Sequence, residues 1–245
     1  MAMAMSTPTD AAALPPTAGV ATDTAALQRL LTWLSPAYPV GAYTYSHGLE
    51  RAVEDGAVRD RATLAAFVGS VLQAGAGRID GALLVAAYRA AGDGPALDAV
   101  ADLAAAWRGT AETALETMAQ GTAFLRVTRA AWPDARLDAF AMRHGNAISH
   151  PVALGAAAAW QGVDLRLALF GFLSAFAANI VSAGVRLVPL GQTDGQIATA
   201  TLLPALEAAT AAALGADLDR IGTAAPVLDL FSLRHETQYT RLFRS

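Results

Sequence analysis

The chain has 245 residues, with 17 basic against 21 acidic side chains, a net charge of −4, and neither cysteine nor lysine. Disulfides, cysteine-ligated zinc, a cysteine nucleophile, a Schiff-base lysine and a phosphate-loop lysine are therefore excluded, and the acidic balance gives no reason to expect nucleic-acid binding. The length is enough to bury a full core without staples, and the missing cysteines fit a reducing compartment, here read as the cytoplasm.

Residues 1–24 are rich in Ala, Thr and Pro and lack the basic start and Leu-rich stretch of a secretory signal, so they are expected to form a disordered arm. Residues 25–245 are expected to form one helical domain. Leu27, Leu30, Leu31 and Leu34 open it with an amphipathic helix. Pro36, Pro39 and Gly41 then enforce a non-helical connector, Ser35 to Glu50, which carries Tyr38, Tyr43 and Tyr45. Leu64, Phe67, Val68, Val71 and Leu72 form a one-face stripe behind an N-cap at Asp60. Gly75 to Gly81 (GAGRIDG) reads as a helix–helix connection. It lacks the lysine and the preceding strand that a phosphate cradle needs.

Pro95 starts a helix through Leu97, Val100, Leu103 and Trp107. Leu115, Met118, Thr122 and Leu125 mark the next, closed by Pro133. Glu112 and Glu116 lie near its start, where the helix dipole favours them, and read as an exposed, solvated pair. Pro151 opens an Ala-rich helix that ends at Gly162. Asp164 caps the uncharged run Leu167 to Val185. That run is nearly bilayer-long, but Ser174, Asn179, Ser182, its many small residues and Arg at both ends favour a buried central helix over a membrane span. A last long helix is expected from Asp194 to Leu214, kinked at Pro204. No stretch of six residues alternates with period two. The expected fold is all-α: a single compact multi-helix domain around a long buried helix.

Catalytic patterns are lacking. His144 and His150 are six apart, without the four-residue spacing and glutamate of zinc proteases. Ser46 beside His47 is not a nucleophile elbow. The C-terminal stretch Pro226 to Ser245 is more informative. Leu228, Phe231, His235, Tyr239 and Leu242 recur at helical spacing, and Arg234, Arg241, Arg244 and Phe243 crowd its end. Arg and aromatic side chains dominate binding hot spots, so this stretch reads either as an interaction element or as a final helix docked on its own core. The Tyr-bearing connector reads as an interface loop or as a turn packed by its tyrosines.

Four segments carry a family resemblance: PVGAYTYSHGLE (Pro39 to Glu50), HPVALG (His150 to Gly155), VRLVPLGQTDGQ (Val185 to Gln196) and RHETQYTRLFRS (Arg234 to Ser245). Together they resemble the UreF family of urease accessory proteins, from about Ala26 to the last residue. Tyr43 stands where the family commonly has Phe, and Gly184 where a larger residue is usual.

The resemblance implies an all-α, non-catalytic protein without a cofactor or bound metal of its own. Its implied role is a scaffold that joins a D/H-type accessory protein and recruits a G-type GTPase for GTP-dependent nickel insertion into apo-urease. It also implies a homodimer, and neither a nucleic-acid nor a membrane partner is expected. Partner binding is carried over to Arg234, His235, Glu236, Arg241, Phe243 and Arg244. Tyr38, Pro39, Gly41, Tyr43, Ser46, His47 and Glu50 become candidates for a GTPase-facing or dimer surface. Arg186, Gln192 and Gln196 are assigned to structural bracing or an internal polar route. The alternative reading is direct nickel carriage by surface histidines.

Overall fold

The structure, a computed structural model, describes residues 23–107, 109–145 and 147–245. The arm expected over residues 1–24 therefore lies outside the described residues, except for Asp23 and Thr24. Among the described residues twelve α-helices follow one another and no strand forms. They are α1 (Thr24–Trp33), α2 (Leu49–Glu54), α3 (Arg61–Gln73), α4 (Ala76–Ala90), α5 (Gly94–Ala106), α6 (Ala111–Ala131), α7 (Ala135–His144), α8 (His150–Trp160), α9 (Leu165–Leu187), α10 (Gln192–Thr201), α11 (Leu203–Leu214) and α12 (Pro226–His235).

Local sequence explains most helix starts. The side chains of Asp23, Asp60, Asp93, Thr110, Asp134 and Asp164 each accept a hydrogen bond from a first-turn backbone N–H. Asp60 and Thr110 form full capping boxes with Thr63 and Thr113. Each such cap contributes about 1 kcal/mol and fixes where its helix begins. Proline in the first turn does the same for α5, α8, α11 and α12, where its missing N–H has no intrahelical partner to lose.

The core is one continuous cluster. Helices α4 and α8 form its most extensive pair, and α9 packs against α2, α3, α4, α8, α10 and α11. The α4–α8 approach depends on Gly155. A Cβ there would lie 2.4 Å from the Leu84 carbonyl oxygen, well inside contact distance. By length and composition alone, α9 and the Arg61–Ala90 stretch through α3 and α4 would reach across a membrane. In this fold half of the apolar window in α9 is instead buried against other helices.

Two readings of local sequence give way here. The Gly75–Gly81 segment is not a connection but the N-cap and opening turns of α4, with Ile79, Gly81, Leu83 and Leu84 buried. The stripe assigned to the Leu115 helix is also displaced: Leu115 is exposed. The buried row of α6 is Glu112, Glu116, Gln120, Phe124 and Thr128, polar at one end and aromatic in the middle. The expected kink at Pro204 appears as a 45° bend between α10 and α11.

Candidate functional site

The connector between α1 and α2 is fixed from below. Tyr38 is buried, its hydroxyl 2.8 Å from Thr128 Oγ1, and its ring packs on Phe124, which also meets Trp33 edge-on. Asn179 of α9 donates to the Ala42 carbonyl at 2.7 Å, and Arg186 donates to the Tyr43 carbonyl at 3.0 Å. His47 and Gly48 then take left-handed backbone conformations, with φ of 56° and 74°. Such a conformation is uncommon for a side-chain-bearing residue and needs support from its surroundings. At Gly48 no larger residue fits, because a Cβ would lie 2.8 Å from the Ser232 nitrogen of α12. The turn places Ser46, His47 and Glu50 in the interior, facing α6 and α12.

The C-terminal segment lies against this turn. Helix α12 ends at His235, short of the helical run that the spacing to Tyr239 and Leu242 predicted. His235 is fully buried between two carboxylates, with Nδ1 2.9 Å from Glu112 Oε2 and Nε2 3.2 Å from Glu50 Oε2. The chain loops outward and returns. The backbone N–H groups of Leu242 and Phe243 donate to Glu50 Oε1 and Oε2 at 2.7 and 2.9 Å. Arg241 reaches Glu112 Oε1 at 3.0 Å. The Arg244 N–H donates to the Thr44 carbonyl at 2.8 Å, and the Ser46 N–H donates to the Ser245 backbone oxygen at 2.7 Å. The Ser46 hydroxyl donates to that same oxygen. The buried Phe243 ring lies under the Arg186 guanidinium, 4.4 Å from its centroid. Cation–π contacts of this kind add about 0.5–2 kcal/mol, depending on desolvation.

Glu116 joins this cluster to a neighbouring cavity. It accepts from the Ser245 hydroxyl at 3.2 Å and from Gln120 at 2.9 Å, and its Oε1 is 3.0 Å from His47 Nε2. Burial pushes the His47 imidazole down, but the adjacent Glu116 and then Asp80 outweigh it, so its pKa lies above the ordinary value. The cavity holds about 340 Å³ between the connector, α4, α6 and α9. Its polar wall includes Tyr38, His47, Asp80, Glu116, His150 and Asn179. His150 opens α8 between the rings of Phe124 and Phe172, and burial pushes its pKa down to about 4.

The candidate residues divide by exposure. Tyr38, Ser46, His47, Glu50, His235 and Phe243 are buried and hold the segment or the connector. Pro39, Tyr43, Arg234, Glu236, Arg241 and Arg244 face outward, together with Tyr239 and Leu242. Gly41 makes the left-handed turn at φ 77°. Arg234 reaches back to Asp55 at 3.4 Å. Arg186 belongs to the site through Tyr43 and Phe243, whereas Gln192 and Gln196 are exposed on α10 and do not line the cavity.

Glu112, Glu116 and Gln120 belong to the site, although the sequence pattern assigned the two glutamates to solvent and gave Gln120 no role. Their shared i, i+4 row with Phe124 and Thr128 was the available signal. The exposed, solvated pair expected at Glu112 and Glu116 is instead a buried one. Nor are the histidines a surface set. His47 and His235 are enclosed beside carboxylates, and His144 is 2.7 Å from Asp98. Among the described residues no group of three or more His, Asp or Glu side chains is arranged to hold a metal ion.

Fold and site define an all-helical protein that seats its own C-terminal segment in a polar groove and displays Arg and aromatic side chains from the outer side. Comparison with known proteins supplies the family. The UreF family model matches residues 58–203. A urease accessory protein UreF from Granulibacter bethesdensis is 66% identical over 226 residues, covering 91% of this chain and 96% of the relative. Proteins of the same name from Rhodopseudomonas palustris (strain TIE-1) and Bradyrhizobium sp. (strain ORS 278) are 51% and 50% identical, each over 98% of this chain and 100% of their own length. The chain belongs to the UreF family of urease accessory proteins.

Proposed function

We propose that this protein is a cytoplasmic, non-catalytic scaffold of urease maturation. In this reading it joins the D/H-type accessory protein, recruits the G-type GTPase and so enables GTP-dependent nickel insertion into apo-urease, acting as a homodimer. Family membership supports the general role. The observation that carries the specific one is the seated C-terminal segment. Its polar backbone is spent on Glu50, Thr44 and Ser46, which leaves the side chains of Tyr239, Leu242 and Arg244 turned outward to meet a partner, while Arg241 is tied to Glu112. Exposed aromatic and Arg side chains on an ordered segment match the make-up of binding hot spots, and pre-ordering reduces the entropy lost on association.

Direct nickel carriage by the histidines has weaker support. His47 and His235 already face carboxylates in the interior, and His150 is neutral and enclosed by aromatic rings.

The test is capture of purified D/H-type protein by the full-length chain and by a Tyr239→Ala/Leu242→Ala double variant. Both substitutions lie on the surface, so the fold is left alone. Capture is expected to weaken by about tenfold or more, the scale of hot-spot truncation. Equal capture by both proteins would remove the segment from the interface.

A further inference from the structure

The exposed loop of the C-terminal segment is closed by one side chain. Glu50 meets the ring Nε2 of His235 at 3.2 Å at the end of α12, then accepts from the N–H groups of Leu242 and Phe243 after the loop. Residues 236–241 between these anchors are mostly exposed, without regular secondary structure. Both ends of the loop therefore meet at a single carboxylate, which is itself buried. Arg241 adds one further tether, to Glu112. Side-chain direction past the loop follows from the same anchor: with two successive N–H groups held on Glu50, Phe243 points inward under Arg186 while Leu242 and Arg244 point out.

We propose that Glu50 is the positioning residue of the partner-facing surface. It touches no partner, and it sets the pose in which Tyr239, Leu242 and Arg244 are presented. This rests on the scaffold reading above. Charge is essential to the arrangement, because an ionised carboxylate only accepts hydrogen bonds and a backbone N–H donates to each of its two oxygens. An isosteric amide cannot replace it. In either flip the NH₂ group faces a donor: the Leu242 N–H in one and the Phe243 N–H in the other.

The experiment compares full-length wild type, Glu50→Gln and Glu50→Asp. Glu50→Asp keeps the charge but withdraws the acceptor by one methylene, which guards against a failure of the first variant to fold. The first readout is hydrogen exchange at the Leu242 and Phe243 amides, with core amides of α4 and α8 as internal reference. The second is affinity for purified D/H-type protein. Exchange at the two segment amides is expected to rise at least about tenfold with the reference amides unchanged, and affinity to fall at least about tenfold, as for loss of one charge-assisted hydrogen bond.

A merely structural role would raise exchange in the core amides as well, and that result overturns the proposal. So does unchanged exchange at Leu242 and Phe243, or a loosened segment with undiminished capture. In the last case the scaffold reading survives if Tyr239→Ala/Leu242→Ala still loses the partner. If that double variant also binds normally, the scaffold reading fails with it.

Discussion

His150 gives the chain an acid-sensitive stability whose size follows from its surroundings. Its Nε2 is buried without a hydrogen-bond partner, between Phe124 and Phe172, although the residue as a whole keeps some solvent contact. Burial lowers its pKa from 6.5 to about 4. The unfolded chain therefore takes up a proton near pH 6.5 that the folded chain refuses until near pH 4, and stability falls as the pH drops through that interval. Each pH unit costs about 1.4 kcal/mol, so about 2 kcal/mol is lost between pH 6.5 and 5, as an upper bound given the partial exposure. His47 does not blur this window. Its folded pKa is raised, so its contribution is complete below 6.5 and is lost only as the pH rises through the higher folded value. Urea denaturation of wild type and His150→Leu at half-unit steps from pH 7 to 5 is the assay. The wild type should lose stability across the window, and the difference between the two proteins should narrow or reverse by about 2 kcal/mol. Parallel curves would show that His150 takes up its proton in the folded state, and the burial argument would be wrong.

Other expectations follow from the same contacts. Gly155→Val should cost at least about 1–3 kcal/mol in thermal or urea unfolding, because its Cβ meets the Leu84 carbonyl and the most extensively packed helix pair must separate. Phe243→Ala should raise amide exchange in residues 242–245 far more than in α4 and α8, because the ring anchors the terminal segment at the margin of the core cluster; an equal rise in both regions would contradict a local seat. His47→Gln should destabilise the protein at pH 6 and much less at pH 9, with the difference disappearing as the pH rises through the His47 value, as read by urea midpoints.

Much of the architecture was legible because it is written in local chemistry. Asp60, Asp164, Pro95 and Pro151 mark helix starts by supplying or sparing first-turn N–H groups, and the Leu64–Leu72 stripe faces the core as its period requires. Helix α4 was hidden because Gly75, Gly77 and Gly81 argue against a helix in isolation, and only its packing on α8 and its neighbours overrides that preference. The site was half legible. Arg, His and aromatic residues in the last twelve positions drew attention to the segment, but its receptor is made of carboxylates on α2 and α6, nearly two hundred residues away in the chain for Glu50. A buried Glu looks the same as a solvated Glu in sequence. Only the fold shows Glu112 and Glu116 turned inward to face His235, Arg241 and Ser245.

The most direct test is urease maturation in cells that carry or lack this chain. Nickel content and activity of urease would be measured alongside co-purification with the D/H-type protein and the G-type GTPase. A scaffold predicts inactive, nickel-poor urease without the chain, restored by wild type and not by Tyr239→Ala/Leu242→Ala, with both accessory proteins recovered only on the wild-type chain. Fully nickel-loaded urease in its absence, or restoration by the double variant, contradicts the account.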